Sequence, residues 1–157
     1  MKVLFVCYGN ICRSPTAHGV FEAFVQKAGL DSKVLVDSGG TSGYHEGDPP
    51  DERSQLHARK RGFDLSRLRS KPITPEMLAG SDYVLAMDRA NIEGIQRVCP
   101  PEHRRKVQLF LDYAPEQSTR EVPDPYYGGT AGFERVLDLV EEASRGLLTH
   151  VEQRLRV

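Results

Sequence analysis

Cys7 and Arg13 have five residues between them in the stretch Val6-Cys7-Tyr8-Gly9-Asn10-Ile11-Cys12-Arg13-Ser14-Pro15-Thr16. The apolar run Val3-Leu4-Phe5-Val6 before them reads as a short buried strand. After them, Ser14 as N-cap and Pro15 at the first helical position open a helix. Both residues therefore fall on a tight loop between a strand end and a helix N-terminus. Backbone N–H groups converge in such a loop and the helix end adds partial positive charge, so the expected ligand is a dianion such as phosphate. The loop Tyr8, Gly9, Asn10, Ile11, Cys12 and Arg13 would supply the N–H groups, and the planar Arg13 guanidinium would bind two of the phosphate oxygens. A thiol at the base of this cradle, Cys7, is placed to act as a nucleophile at neutral pH. Taken by itself, Cys7 could be a small buried residue ending a strand. That reading leaves unexplained the Gly9-Asn10 pair, which tolerates unusual backbone angles, and the helix start directly after Arg13.

Hydrolysis of a phosphate ester needs charge stabilisation, an in-line nucleophile and a proton for the leaving group. The loop and Arg13 supply the first and Cys7 the second, through a phosphocysteine. Ser14 can hydrogen-bond the thiolate as well as cap the helix, and Asn10 is suited to hold the loop in a strained shape. The proton donor must come from elsewhere in the chain. Asp124 is the candidate: Pro123 and Pro125 stiffen its loop on both sides. It would give its proton to the leaving oxygen and later take one from the attacking water. Tyr126 and Tyr127 follow it with aromatic faces suited to flank a phenyl ring. Ile11, Tyr44, Tyr126 and Tyr127 would then wall an apolar slot above the phosphate, deep enough for phosphotyrosine and too deep for phosphoserine.

The elements that must position these residues alternate between strand and helix. The first helix runs from Pro15 to about Lys27, with Val20, Phe21, Phe24 and Val25 as its apolar stripe and Gly29 as its stop. Val34-Leu35-Val36 is the second strand, and a strand, a helix and a strand of this length make one βαβ unit and hence a parallel sheet. A Gly- and Pro-rich loop from Gly39 to Pro50 leads to a helix capped by Asp51 and ended near Gly62. Its basic residues Arg53, Arg59, Lys60 and Arg61 read as a solvated face. Thr74 starts a short helix, Tyr83–Met87 is the third strand, Asp88 to Val98 a helix, and Val107–Phe110 the last strand. The polar segment from Pro115 to Gly129 is long for a connection, which marks it as functional. The final helix, about Thr130 to Leu155, lays Phe133, Val136, Val140, Ala143, Leu147 and Val151 on one face.

With 157 residues and a net charge of −1, the chain is expected to be a single domain over 1–157, with no charge signal for nucleic acid or for an anionic membrane surface. No apolar run approaches membrane-spanning length, and Met1-Lys2-Val3 enters a strand at once, leaving no room for a signal peptide. The three cysteines form no secreted-domain pattern, so the expected compartment is a reducing cytoplasm. The five histidines are scattered, so no metal is expected.

At Cys7-Tyr8-Gly9-Asn10-Ile11-Cys12-Arg13-Ser14-Pro15 the chain resembles the low-molecular-weight protein tyrosine phosphatases, whose signature is Cys-X5-Arg-Ser near the N-terminus. Asp124-Pro125-Tyr126-Tyr127-Gly128 matches that family's general-acid loop, and Asp37-Ser38-Gly39 and Ala86-Met87-Asp88 extend the likeness across the chain. The resemblance implies a three-layer α/β fold with helices on both faces of a four-stranded parallel sheet of order 2-1-3-4. It also implies metal-independent, cofactor-free hydrolysis of phosphotyrosine. The partners it implies are tyrosine-phosphorylated proteins, a tyrosine kinase among the candidates, with inorganic phosphate and other oxyanions as inhibitors. It implies loop support from Asn10, Ser14 and Ser38, with a histidine completing the network. Here the chain departs: that histidine falls at Leu68, and the usual Arg-Gln pair is Lys71-Pro72. His18, where Glu is common, reads as a helix-surface residue. Cys12 could be a small core residue, a partner for a reversible disulfide with Cys7, or both; Cys99 reads as structural.

Two other functions are weighed against this one. A thioredoxin-coupled arsenate reductase shares the Cys-X5-Arg loop but needs two further redox cysteines close together, whereas Cys99 is the one cysteine outside the loop. A non-catalytic phosphate-binding module would not need Cys7, Arg13 and Asp124 together. A related bacterial branch of the family acts on phosphoarginine and has Thr at the position of Ile11.

Overall fold

The computed structural model describes residues 1–156. Its elements in chain order are β1 (Lys2–Cys7), α1 (Arg13–Lys27), β2 (Leu35–Gly40), α2 (Glu52–Lys60), α3 (Pro75–Gly80), β3 (Tyr83–Ala86), α4 (Arg89–Gln96), β4 (Val107–Leu109) and α5 (Thr130–Leu155). Two 3₁₀ turns, Pro101–Lys106 and Phe110–Tyr113, flank β4. The four strands are all parallel, in the order β2-β1-β3-β4, as expected.

The central position of β1 follows from its composition. Val3, Leu4, Phe5 and Val6 are fully buried, which only a strand covered on both faces and paired on both edges allows. Alternation divides them between two cores. Val3, Phe5 and Cys7 pack with Val20 and Phe21 of α1 and with Val140 and Leu147 of α5. Leu4 and Val6 pack on the opposite face with Leu78 of α3 and Ile95 of α4. Phe5 meets Phe21 and Phe110 edge to face, at 5.8 and 4.9 Å between centroids. Each such fully buried ring contributes about 1.5–3 kcal/mol. The chain runs from β1 to β2 on one side and then crosses to β3 on the other, so the loops after β1 and β3 part at the carboxyl ends of the strands. The loop 8–12 lies in that crevice, where open parallel sheets bind ligands.

Several expected boundaries move. β2 continues through Asp37–Gly40 because these residues pair with Leu4–Cys7 of β1; the ladder overrides the weak strand propensity of Gly39 and Gly40. β3 stops at Ala86, β4 at Leu109 and α4 at Gln96. Ser14 is not an N-cap: α1 begins at Arg13, Cys12 holds the cap position without a side-chain bond, and the Ser14 hydroxyl is engaged elsewhere. Pro15 then falls in the first turn, where its missing N–H leaves nothing unpaired. Asp51, Thr74 and Asp88 cap α2, α3 and α4 through their side chains. Arg53, Arg59 and Lys60 of α2 are exposed, and two basic residues at its ends also find partners. Arg61, just past its end, pairs with Glu134, Asp138 and Glu141 of α5, and Arg53 is bound to Asp51. The carboxylates around Arg61 raise its pKa, Glu134 foremost, against the opposing effect of burial. No helix among the described residues is long and apolar enough to cross a membrane.

Candidate active site

The loop after β1 exposes its N–H groups because its carbonyls are held from outside. The carbonyl oxygens of Cys7 and Tyr8 accept from the N–H groups of Thr41 and Ser42 at 3.0 and 2.9 Å. That of Gly9 accepts from the Ser70 hydroxyl at 2.9 Å. That of Ile11 accepts from Asp51 N–H at 2.8 Å, and that of Cys12 from the Thr16 hydroxyl at 2.7 Å. A planar trans peptide points its C=O and N–H in opposite directions. Drawing the carbonyls outward therefore turns the intervening N–H groups toward the concave side. Gly40 makes this approach possible: a Cβ there would stand 2.8 Å from the Tyr8 carbonyl oxygen.

Asn10 bends the loop. Its φ of 57° is left-handed, the one such angle at a non-glycine residue among those described. Both ends of its amide hold it there: Nδ2–H donates to Ser14 Oγ at 2.7 Å, and Oδ1 accepts from Lys71 N–H at 3.0 Å. The Cys7 thiol lies at the centre, with Sγ 3.0 Å from Ser14 Oγ and accepting from Asn10 N–H at 3.3 Å. Asn10, Ser14 and Cys7 are thus one connected group. Ser38 is not part of it. Its hydroxyl pairs with His18 Nδ1 at 2.9 Å, and the third contact to Asn10 comes from the main chain at Lys71. His18 is accordingly not a surface residue but a buried one.

Arg13 is buried and reaches the same centre from α1. Its Nη1 donates to Asp88 Oδ2 at 2.6 Å and to the Val122 carbonyl at 3.0 Å, while Nη2 stands 3.7 Å from Asp124 Oδ2. Burial works against its charge, but Cys7, then Asp88 and Asp124, outweigh burial and raise its pKa. Asp124 uses its other oxygen, Oδ1, to accept from Tyr126 N–H at 3.1 Å. Oδ2 is thereby the oxygen turned toward Arg13. Cys12 is buried against Phe133 and Ile11. Burial, and secondarily Asp51, push its thiol up to about 12 against the opposing hydrogen bond from Ser54.

These residues surround a cavity of about 460 Å³ lined by Cys7, Tyr8, Ile11, Arg13, Tyr44 and Asp124, together with Gly9, Cys12, His45, Tyr126 and Tyr127. Ile11 is its buried apolar wall, and the partly exposed Tyr126 lines it as well. Tyr44 and Tyr127, 85% and 93% exposed, stand at the rim rather than in the depth expected for them. Tyr8 contributes its exposed ring to the rim as well as its backbone to the loop. Three contributors escaped sequence reasoning: Asp88 as the partner of Arg13, His45 on the cavity wall, and Ser70 beneath Gly9. Asp88 ends a stretch that already matched the family, which was the available signal; the other two carried none. No cluster of potential metal ligands occurs among the described residues.

The family described as low molecular weight phosphotyrosine protein phosphatase matches residues 2–157. A low molecular weight protein-tyrosine-phosphatase from Streptomyces coelicolor is 41% identical, over 98% of this chain and 95% of its own length. The human low molecular weight phosphotyrosine protein phosphatase is 38% identical over 94% and 93% of the two chains. The crystal structure of a protein tyrosine phosphatase from Entamoeba histolytica, with Hepes in its active site, superposes with a TM-score of 0.93 at 40% identity, covering 98% and 97% of the chains.

The buried His18 yields a prediction about stability. Burial lowers its pKa from the ordinary 6.5, against the pull of Glu22 and Asp37. The unfolded chain therefore binds the His18 proton first as pH falls. The stabilisation tied to neutral His18 is complete above the ordinary value and is lost as pH drops through the folded one. Urea midpoints compared at about pH 7.5 and about pH 5.5 should fall further for the natural chain than for His18→Gln. Equal falls would show that His18 contributes nothing to the pH dependence.

Proposed function

Because this chain belongs to the low molecular weight phosphotyrosine protein phosphatase family, we propose that it hydrolyses protein phosphotyrosine through a phosphocysteine on Cys7. The observation that carries this reading is the convergence on Cys7 Sγ of Ser14 Oγ at 3.0 Å, the inward-facing loop N–H groups and the buried Arg13.

In the first step Cys7 Sγ attacks phosphorus in line with the tyrosine oxygen. Asn10 Nδ2–H already occupies a lone pair of Ser14 Oγ, so the Ser14 O–H is directed to donate to the sulfur and stabilise its negative charge. Arg13 and the loop N–H groups take the equatorial oxygens, with Arg13 held in place by Asp88. Asp124 Oδ2 gives its proton to the departing tyrosine oxygen as the P–O bond breaks and the S–P bond forms. In the second step Asp124 takes a proton from water, which attacks the phosphocysteine and releases Cys7 and inorganic phosphate. Every proton and bond is accounted for by residues of this chain and water. Product phosphate and other oxyanions inhibit by occupying the same cradle. The substrates are tyrosine-phosphorylated proteins, and the working compartment is the cytoplasm.

Redox control belongs to the same reading. Cys7 and Cys12 are both free, and burial favours the thiol form of Cys12. Peroxide would oxidise Cys7 to a sulfenic acid, and Cys12 would displace water from it to close a disulfide. The substrate wall supplied by Ile11 favours phosphotyrosine over phosphoarginine, because a guanidinium buried against it would leave polar groups unpaired at about 1–3 kcal/mol.

Cys7→Ser should abolish turnover while phosphate binding persists, and Asp124→Asn should slow phenyl phosphate hydrolysis by about 10²–10⁴-fold while slowing p-nitrophenyl phosphate less. Appreciable turnover by Cys7→Ser, or equal losses on both esters, would overturn these roles. With three peptides differing only in the phosphorylated residue, kcat/KM should rank phosphotyrosine above phosphoarginine and both above phosphoserine, and Ile11→Thr should shift the ratio toward phosphoarginine. An unmoved ratio would refute the wall. After mild peroxide, activity should return with dithiothreitol and peptide mapping should find Cys7 linked to Cys12; Cys7 sulfonic acid with no linked peptide would refute the disulfide.

A further inference from the structure

Besides the Arg13–Asp124 ion pair at 3.7 Å, the turn that carries Asp124 is hydrogen-bonded to the rest of the molecule at two points. On its N-terminal side, Val122 is paired through both main-chain groups, its N–H to the Met87 carbonyl and its carbonyl to Arg13. Beyond Asp124 the internal bonds are local, from Tyr126 N–H to Asp124 Oδ1 and from Gly128 N–H to the Pro125 carbonyl. Among the described residues, the one hydrogen bond that joins residues 123–128 to another element comes from Arg53, whose Nη2 donates to the Tyr126 carbonyl at 3.1 Å.

Arg53 is built into this position. Its Nε and Nη2 form a two-pronged pair with Asp51 at 3.1 and 2.9 Å. Its guanidinium carbon lies 4.7 Å from the centroid of the Phe133 ring and 5.5 Å from that of Tyr126. Asp51 in turn caps α2 and donates its own N–H to the Ile11 carbonyl of the phosphate loop. Phe133 packs on Ile11 and Cys12. One side chain therefore links the start of α2, the phosphate loop beneath it, the start of α5 and the turn above. Tyr126 is the physical intermediary: its N–H holds Asp124 and its carbonyl is held by Arg53.

We propose that Arg53 is a positioning residue that holds the Asp124–Tyr126 turn over the phosphate loop and so sets where the general acid stands. The proposal rests on the reading of Asp124 as that acid. Only a planar fork with several donors meets Asp51 and Tyr126 at once while lying 4.7 and 5.5 Å from two ring centroids; a lysine ammonium is a point charge without that fork. A misplaced acid matters in proportion to how much the leaving group needs its proton, so the effect must depend on the leaving group.

The test uses the full chain with Arg53→Ala, Arg53→Lys, Asp124→Asn and the Arg53→Ala/Asp124→Asn double variant, with thermal midpoints recorded for each. Arg53→Ala should lower kcat/KM, which reports the leaving-group step, by on the order of tenfold on phenyl phosphate and by less than about twofold on p-nitrophenyl phosphate. Arg53→Lys should fall between Arg53→Ala and the natural chain, and it carries the comparison of esters if Arg53→Ala does not fold. In the Asp124→Asn background, Arg53→Ala should cause no further loss on phenyl phosphate, because no acid is left to misplace. Equal losses on the two esters, or losses that multiply in the double variant, would overturn the role given to Arg53 while leaving Asp124 untouched. An Asp124→Asn variant without leaving-group dependence would instead overturn the acid and the proposal together.

Discussion

A loop that binds an anion through its N–H groups must dispose of its carbonyls, and this requirement organises the molecule around Cys7. Leaving even one such carbonyl buried and unpaired would cost about 1–3 kcal/mol. The partners come from three places: Thr41 and Ser42 after β2, Asp51 at the start of α2, and Ser70 before α3. Thr16 of α1 closes the set at Cys12. The long stretch between β2 and α3 thus serves as the outer mould of the loop. The left-handed bend at Asn10 is unfavourable by itself and persists because both ends of the side-chain amide are occupied.

The same centre has to accommodate a buried cation. Arg13 is only 3% exposed, and an isolated buried guanidinium would be strongly disfavoured. Asp88 and the Val122 carbonyl satisfy Nη1, and Asp124 stands opposite Nη2. Asp88 also caps α4 through its other oxygen, so the group that orients Arg13 is itself immobilised by a helix end. Arg13 in turn bonds the Val122 carbonyl, which connects the phosphate cradle to the base of the turn bearing Asp124. Cradle and turn are mechanically one unit, although about 110 residues of chain separate them.

The departures from the family pattern have a physical resolution. Leu68, at the position of the expected histidine, packs against the main core. The contact to Asn10 is made by the main-chain N–H of Lys71, and a backbone donor survives a change of side chain. The Lys71 side chain is free to pair with Asp37 at 2.7 Å. The imidazole that Ser38 bonds comes from His18 of α1, across a contact that neither residue's neighbours in sequence foretell.

What the sequence by itself determined is what depends on short spacings. The apolar run of β1, the Cys-X5-Arg loop, the 3.6-residue periodicity of α1 and α5, the cap at Asp51 and the helix starts at Thr74 and Asp88 are all local patterns, and all are present in the structure. Residue type also made Asp124 and the aromatic residues near it conspicuous. Tertiary structure decided everything that needs a distant partner. It extended β2 through two glycines by pairing them with β1 and moved Ser14 from a cap to the side of Cys7. It buried His18 and gave Arg53 and Arg61 partners in distant elements, although Arg53, Arg59 and Lys60 stay exposed. A hydrogen bond between residues 73 or 75 positions apart, as from Arg53 to Tyr126 or Arg13 to Asp88, leaves no periodic trace in the chain. Its existence depends on how the sheet order brings two loops to the same end of the strands.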